Sequence, residues 1–258
     1  MSNDNIMKTD LTRYRESCED FVDEHIVSEV LRVVKKGKEA VVVCCEAHAD
    51  MPCDYIAMKL YRERRFRNFR RDNIYHEGRI WDARLLRAAA ANTQIGLKVG
   101  RSVWVGAEYD ALCKLFEAGM AVPEPFACTD DAVAMQFIGE GDVPAPLLKD
   151  IRFESPKQAH ACFDALIDAI ETMLRRHIVH SDLSPFNILY HDQRPWIIDF
   201  PQNVDPAVNP NAWELFRRDI DHVLRFFERY GISQDVDNLA ISLWEPLFGP
   251  VQQGLLAR

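Results

Sequence analysis

Three polar residues stand at fixed offsets in the stretch HSDLSPFNILYH, residues 180–191. They are His180, Asp182 and Asn187, and an apolar run follows them directly. A second apolar run, WIID, ends in Asp199. Phosphoryl transfer from ATP needs a carboxylate that orients or deprotonates the attacking group, and hard oxygen ligands that hold Mg²⁺. The spacing H-x-D-x4-N, followed by an apolar strand that ends in Asp, therefore indicates a phosphoryl-transfer site.

Each of these side chains has a separate expected role. Asp182 is the expected base, while Asn187 and Asp199 are the expected metal ligands. His180 is better explained as a structural histidine, hydrogen-bonded within the loop, than as a proton carrier. The alternative for the whole stretch is an ordinary buried hairpin, in which Asp182 and Asn187 only shape a turn.

The lysine that this chemistry requires lies upstream, in DYIAMKLYR. Apolar residues at every second position predict a strand over 54–62, antiparallel to a strand over 40–47. Its A-M-K sequence is like the V-A-I-K pattern of kinases, so Lys59 would reach the phosphates and Ala57 would make room for adenine.

A buried lysine needs a partner of opposite charge. Glu108 is the natural candidate, because it lies near the start of a helix that the apolar spacing predicts over 103–118. Gly119 is the expected end of that helix.

The loop that would cover the phosphates is less distinct, because K-K-G-K-E-A contains one glycine. Backbone N–H groups near Gly37 could approach a phosphate. Alternatively, the segment could be a simple turn from a helix to a strand.

The other elements follow from periodicity and turn residues. Their order is strands with one helix, a connection near 138–146, and then mostly helix with a small hairpin. This order predicts a bilobal α+β protein. The remaining elements are a helix over 20–35, strands at 122–128 and 132–139, helices from 156 to His177 and over 211–230, and short strands at 188–190 and 196–199.

Composition narrows the class of protein. The chain has 258 residues and a net charge of −9, and no apolar run approaches the length of a membrane span. The beginning of the chain lacks the apolar segment of a secretory signal, so we expect a cytoplasmic protein without membrane contact.

The seven cysteines of the chain are expected to be reduced. Cys44, Cys45, His48 and Cys53 are better explained by a strand and a turn than by a zinc cluster, because their spacing fits no common zinc pattern.

One segment is strongly basic. Residues 62–101 contain eleven Lys or Arg and only four Asp or Glu, in an otherwise acidic chain. The segment has no clear period and is predicted to be a long loop. It either binds an anionic partner, such as RNA or an acidic protein, or it is a solvated loop whose arginines bind nothing specific.

Several longer motifs together carry a resemblance to a family. From about residue 25 to 231 the chain resembles the RIO family of atypical protein kinases. The motifs are G-K-E-A (37–40), F-I-G followed by P-A-P-L-L-K (137–149), H-S-D-L-S-P-F-N (180–187), I-D-F-P-Q (198–202) and N-P-N-A-W-E-L-F-R-R-D (209–219).

The resemblance implies a compact kinase fold with ATP between a small β-rich N-lobe and a mostly helical C-lobe. The corresponding boundaries are an extension at 1–24, the N-lobe at 25–138, including a flexible loop at about 62–101, and the C-lobe at 139–258. It implies ATP and Mg²⁺ as cofactors, with Mn²⁺ as an alternative ion. It also implies these site residues: catalytic Lys59, Asp182 and Asp199; metal ligands Asn187 and Asp199; and nucleotide contacts at Gly37, Lys38, Val42, Ala57, Lys59, Glu108, Met135, Gln136 and Ile138.

The expected activity is ATP- and Mg²⁺-dependent serine/threonine protein kinase activity, on protein substrates that include the chain itself. One alternative is an ATPase that acts as a conformational switch or assembly factor, with Asp199 as transient phosphate acceptor. A further alternative is a small-molecule phosphotransferase of the aminoglycoside or choline kinase kind, which the P-A-P-L-L motif argues against. The chain departs from the family pattern at Lys35, Lys36 and Val41, around the phosphate loop.

Overall fold

The structure is a computed structural model that describes residues 11–62 and 94–251, with the backbone alone over 94–100. The described residues divide into two compact units. The first comprises 11–62, 94–109 and 123–145, and the second comprises 110–122 and 146–251. Most of the predicted basic loop, residues 63–93, lies outside the described residues.

A five-stranded sheet organises the first unit. The strands are β1 Val27–Lys36, β2 Ala40–Ala47, β3 Tyr55–Tyr61, β4 Pro125–Cys128 and β5 Ala132–Gln136. Their order in the sheet is β1-β2-β3-β5-β4, and all neighbouring strands are antiparallel. The strands predicted around 40–47 and 54–62 are therefore confirmed as an antiparallel pair. A two-stranded pair, β6 Gly139–Glu140 and β7 Val143–Pro144, follows β5.

Strand pairing assigns the side chains of β2, β3 and β5 to two faces, because alternate residues point to opposite sides of a sheet. One face is part of the hydrophobic core, where Ile56 and Met58 are fully buried and pack with Phe21 of a short helix, α1 (Glu19–Asp23). The opposite face carries Ala57 and Lys59. The hydrophobic core thus lies on one side of the sheet, and the Lys59 side chain lies on the other.

The predicted helix over 20–35 is wrong. The segment forms the short helix α1 and then the ten-residue strand β1. The β1–β2 register is irregular, so Val27 and Val30, which are three positions apart in the sequence, are both buried. A β-bulge inserts an extra residue into one strand, so the apolar spacing of β1 imitated a helical period.

The predicted helix over 103–118 is confirmed but begins earlier, as α2 (Gln94–Glu117). Gly119, with φ of +75°, follows this helix and confirms the predicted stop. Glycine suits this position because it adopts positive φ without a steric penalty.

The second unit is mostly helical. Its elements are α3 (Pro156–Arg175), the hairpin β8 (Ile188–His191) and β9 (Arg194–Ile197), α4 (Ala212–Phe227), and α5 (Val236–Phe248). The two helices α3 and α4 and the hairpin were predicted, although β9 lies two residues earlier than the predicted strand over 196–199. Helix α3 begins with the Ser155 side chain accepting a hydrogen bond from the Gln158 N–H. Helix α5 was not predicted; its Trp244 packs edge-to-face on Trp213 of α4. The α+β class is confirmed.

Among the helices of the described residues, none has both the length and the apolar character needed to cross a membrane.

Candidate active site

A buried ion pair joins β3 to α2. Lys59 Nζ lies 2.6 Å from Glu108 Oε1, and the two side chains are 10% and 1% exposed. The Tyr61 hydroxyl donates a hydrogen bond to the other carboxylate oxygen of Glu108, Oε2. Both oxygens of the buried carboxylate are thereby bonded, which offsets part of the cost of taking the charges out of water. The structure therefore brings together the two residues that the sequence suggested as partners.

Other candidate nucleotide contacts lie on the same face of the sheet as Lys59. Val42 and Lys59 are paired across β2 and β3. Ala57, two residues before Lys59, is paired with Met135 across β3 and β5. Residues paired across an antiparallel sheet lie on the same side of it. Val42, Ala57 and Met135 therefore form an apolar surface beside the lysine.

The backbone groups expected to hold adenine are partly used within the protein. The Gln136 N–H donates to the Glu124 carbonyl oxygen at 2.8 Å. The Ile138 carbonyl oxygen accepts from the Ala145 N–H at 2.9 Å. Ile138 itself is buried. The Gln136 carbonyl and the Ile138 N–H are the other backbone groups of these two residues.

Gly37 and Lys38 lie in the turn between β1 and β2, so the connection joins two strands rather than a helix and a strand. The Gly37 N–H donates to the Ala40 carbonyl oxygen at 2.9 Å and closes this turn. A Cβ added to Gly37 would lie 3.0 Å from the same oxygen, so a larger residue would crowd it. Glycine is thus explained here by the tight turn itself.

In the second unit, His180 supports the loop that carries Asp182. Its Nδ1 accepts a hydrogen bond from the Asp182 N–H at 3.3 Å, and its Nε2 lies 3.0 Å from the Ile198 carbonyl oxygen. The ring is 1% exposed and lies against Phe200. These contacts require Nδ1 to be the acceptor and Nε2 the donor, which describes a neutral histidine with a structural function.

The structure places Asn187 in direct contact with Asp182. The Asn187 Nδ2 donates to the Asp182 backbone oxygen at 2.9 Å and to its carboxylate Oδ2 at 3.1 Å. This arrangement uses the amide nitrogen and leaves the amide oxygen as the atom that could bind a metal ion. Asp182 is exposed, which its predicted role as a base requires.

The hairpin brings Asp199 to the same end as Asn187. Asn187 directly precedes β8, and its carbonyl oxygen accepts from the Ile198 N–H at 3.0 Å. Because Asp199 directly follows Ile198, this hydrogen bond places Asp199 and Asn187 at the same end of the hairpin. Its φ of +74° is uncommon for a residue other than glycine, and such conformations concentrate at functional sites. The donor set of one carboxylate and one amide oxygen fits Mg²⁺.

Sequence reasoning assigned no function to Asp219, yet this buried residue of α4 holds the Asp182 loop. Its carboxylate accepts hydrogen bonds from the Ser181 N–H at 2.7 Å and the Leu183 N–H at 3.0 Å. Ser181 has a φ of +68°. Burial raises the pKa of Asp219 to about 8, against the opposing effect of the two N–H donors and of Arg218.

Two neighbours on α4 bond to the carbonyl groups of the same loop. Arg218 donates to the Ser181 carbonyl oxygen, and the His222 ring lies 3.3 Å from the Leu183 carbonyl oxygen. The residues on either side of Asp182 are therefore fixed through both their N–H and their C=O groups. The only sequence signal was that R-R-D falls within the stretch 209–219 that carried the family resemblance.

Comparisons with known proteins identify the family model, the relatives and the solved structures to which this chain is similar. A family model, described as RIO1: RIO domain, matches residues 30–239. The RIO-type serine/threonine-protein kinase Rio1 of Thermoplasma acidophilum is 36% identical over 137 residues, which is 53% of this chain and 70% of the relative. The protein of the same name from Haloferax volcanii is 34% identical over 208 residues, 80% of this chain and 66% of the relative.

Eukaryotic relatives are longer than the matched region. The serine/threonine-protein kinase RIO1 of Caenorhabditis elegans is 36% identical over 132 residues, and the match spans 51% of this chain but 26% of that protein. Among solved structures, the Rio2 kinase–ADP/Mg²⁺–phosphoaspartate complex from Chaetomium thermophilum matches with a TM-score of 0.61 and 22% identity. The match covers 88% of this chain and 65% of that chain. It confirms the predicted kinase-type fold.

Proposed function

Because the chain belongs to the RIO family of serine/threonine-protein kinases, we propose that it transfers the γ-phosphate of ATP to protein hydroxyl groups, including its own, with Mg²⁺ as cofactor. The observation that carries this proposal is the contact between Asn187 and the Asp182 carboxylate, at the hairpin end that also carries Asp199. This arrangement places a candidate base and two candidate metal ligands within one segment, residues 182–199. The family also favours a protein kinase over a small-molecule phosphotransferase.

In this proposal the first unit supplies the nucleotide contacts. Lys59, held by Glu108, binds the phosphates as a positive charge of fixed position. The apolar side chains of Val42, Ala57 and Met135 contact the adenine ring. The Gln136 carbonyl and the Ile138 N–H face its polar edge, and Gly37 and Lys38 lie at the phosphate end.

The second unit supplies the chemistry. Asp182 orients the substrate hydroxyl and accepts its proton as the oxygen attacks the γ-phosphorus. Asn187 and Asp199 would bind the metal ion, which neutralises charge on the phosphates. Mn²⁺, another ion that oxygen ligands suit, is expected to substitute for Mg²⁺.

A second candidate function concerns Asp199 itself. One observation favours it: the solved Rio2 kinase structure from Chaetomium thermophilum is a complex with ADP, Mg²⁺ and a phosphoaspartate. In this chain an Asp199 oxygen would attack the γ-phosphorus and release ADP, and water would then hydrolyse the acyl phosphate. The overall reaction would be ATP hydrolysis, used to switch between two states of an assembly factor.

The first experiment follows the γ-phosphate. Wild type, Asp182→Asn and the control Asp192→Asn, which alters an exposed carboxylate at the opposite end of the hairpin, are incubated with Mg²⁺ and γ-labelled ATP. We expect hydroxylamine-resistant label on protein serine or threonine in wild type and the control, with a steep loss in Asp182→Asn.

Two other results would change the conclusion. Free phosphate together with a hydroxylamine-labile protein adduct would replace the kinase proposal with the ATPase switch. If Asp182→Asn turned over ATP at the wild-type rate, Asp182 would not be the catalytic base. The protein substrate, the cytoplasmic location and an anionic partner for residues 62–101 stay predictions.

A further inference from the structure

A second group of potential metal ligands lies in the first unit. His25 follows α1, while His48 and Asp50 follow β2. One ligand atom from each of these three residues lies within 4.8 Å of the other two. Within residues 11–62 and the described part of 94–251, this is the one such group of three. It includes His48 but none of the cysteines that the sequence placed near it.

The backbone brings the two chain segments together without help from a metal ion. The His48 N–H donates to the Ile26 carbonyl oxygen at 2.9 Å, directly beside His25. The two imidazole rings then stack with centroids 4.6 Å apart and an angle of 11° between their planes. The histidines are therefore neighbours in the fold, although 22 residues separate them in the sequence.

The distances between the ligand atoms are close to those of a metal site. Asp50 Oδ2 lies 3.1 Å from His48 Nδ1 and 4.0 Å from His25 Nδ1. Four ligands around Zn²⁺, at bond lengths near 2.0–2.1 Å, stand roughly 3.3 Å from one another. Rotation of the side chains, which turns the two imidazole rings out of their parallel stack, would let both nitrogens face one ion at that separation; His25 and Asp50 are exposed and His48 is half-buried.

The Nδ1 atom of His48 lies beside two groups of Asp50. Its Nδ1 accepts a hydrogen bond from the Asp50 N–H at 3.3 Å, a long bond that a metal ion could replace. The same nitrogen faces the Asp50 carboxylate. A cation stabilises two facing electron-pair donors of this kind.

The conformation of His25 suggests a use for its side chain. His25 has a φ of +58° and ends α1, with the Ile26 N–H donating to the Phe21 carbonyl oxygen. Glycine is the usual residue at this position of a helix end, and a side chain there is strained. His177 ends α3 in the same conformation, with φ of +58°, and its Nδ1 lies 3.4 Å from an Asp205 carboxylate oxygen, but among the described residues this pair belongs to no group of three metal ligands.

We propose that His25, His48 and Asp50 bind one divalent transition-metal ion of the Zn²⁺, Co²⁺ or Ni²⁺ class, with water completing the coordination. Two imidazole nitrogens select these ions over Mg²⁺ and Ca²⁺, which prefer oxygen. The ion would connect the end of α1 to the segment after β2. Because α1 contributes Phe21 to the core, bound metal would stabilise the attachment of the N-terminal segment to the sheet.

Co²⁺ is a suitable probe because its absorption distinguishes nitrogen and oxygen ligands from thiolates. The full chain would be titrated calorimetrically and spectroscopically, with saturating Mg²⁺ present to fill the oxygen-ligand site. We expect one Co²⁺ per chain at micromolar concentration without a thiolate charge-transfer band. His25→Gly and His48→Gln should each weaken binding by at least about tenfold. His177→Gly, which makes the same change in the same backbone conformation, should bind like wild type.

Thermal unfolding provides a second measurement. Metal-free His25→Gly should melt at or above the wild-type temperature, since glycine tolerates the positive φ. Co²⁺ should raise the melting temperature of wild type and His177→Gly but not of His25→Gly. Equal Co²⁺ affinity in wild type and His25→Gly, or a thiolate band, would overturn the proposal.

Discussion

Asp219 Oδ2 lies 2.7 Å from the backbone nitrogen of Ser181, and the other oxygen of the same carboxyl group receives the Leu183 N–H at 3.0 Å. These two bonds hold both neighbours of Asp182 from one buried residue of α4. The candidate base itself is exposed, so its position depends on the backbone on either side. Asp219 is therefore a positioning residue in the proposed reaction.

Asp219→Leu should damage both stability and turnover. The substitution keeps the number and branching of the side-chain heavy atoms, although the two methyl groups are larger than the carboxylate oxygens, and it leaves the buried Ser181 and Leu183 N–H groups without acceptors. Each unsatisfied donor costs about 1–3 kcal/mol. A small displacement of the Asp182 loop should also lower turnover by about 100-fold. Denaturant unfolding and phosphate transfer would measure the two effects.

Asp221→Asn is the matched control, because Asp221 lies on the same helix and pairs with Arg225 near the surface. It should change stability by less than about 1 kcal/mol. Wild-type turnover in folded Asp219→Leu would contradict the positioning role.

The raised pKa of Asp219 predicts a pH dependence of stability. In the folded protein the Asp219 carboxyl group stays protonated up to about pH 8, whereas in the unfolded chain it loses its proton near the ordinary pKa of 3.8. Between these values the folded state binds more protons, so the Asp219 contribution to the free energy of unfolding falls as pH rises. The slope is at most about 1.4 kcal/mol per pH unit.

Asp219→Asn cannot titrate and should lack this contribution. Urea unfolding of wild type and Asp219→Asn, measured in steps from pH 5 to pH 9, isolates it as a difference. The wild-type protein should lose stability relative to the variant as pH rises towards 8. A difference that stays constant or grows in the opposite direction would show that the carboxylate is ionised throughout.

The Lys59–Glu108 pair should behave as one unit. Lys59→Met and Glu108→Gln should each cost about 3–5 kcal/mol, because each leaves one buried charge without its partner. The double variant should cost clearly less than the sum of the single variants. Glu171→Gln provides the control, since Glu171 and Arg175 form an exposed pair on α3 that contributes under about 1 kcal/mol. Additive costs at Lys59 and Glu108 would rule out the coupling.

Asp199→Asn should weaken Mg²⁺-dependent nucleotide binding. The substitution removes the negative charge from the proposed metal ligand and leaves the hairpin unchanged. The measurement is a Mg²⁺ titration of ADP binding, with at least about tenfold more Mg²⁺ needed by the variant. Asp192→Asn is a close control, because Asp192 also has positive φ and lies in the β8–β9 turn. An unchanged Mg²⁺ requirement in Asp199→Asn would contradict its role as ligand.

Local sequence determined the parts of the site that lie close together along the chain. Asp182 and Asn187 are five residues apart in one loop, so their contact follows from a short turn and from residue type. Alternation in β3 likewise fixed the face that carries Lys59. The pairing of Lys59 with Glu108 was also predicted, because a buried lysine needs a carboxylate and the next predicted helix offered one.

Tertiary structure decided what depends on distant partners. The bulges of β1 follow from its pairing with β2, and the apolar spacing alone imitated a helix. Asp219 is 38 residues from Ser181, and His25 meets His48 only because α1 packs on the sheet. Spacing along a chain reports contacts within a turn or a strand, while contacts between elements arise from burial and packing of the whole unit. The sequence therefore determined the proposed chemistry and its residues, and the tertiary structure decided what holds those residues in place.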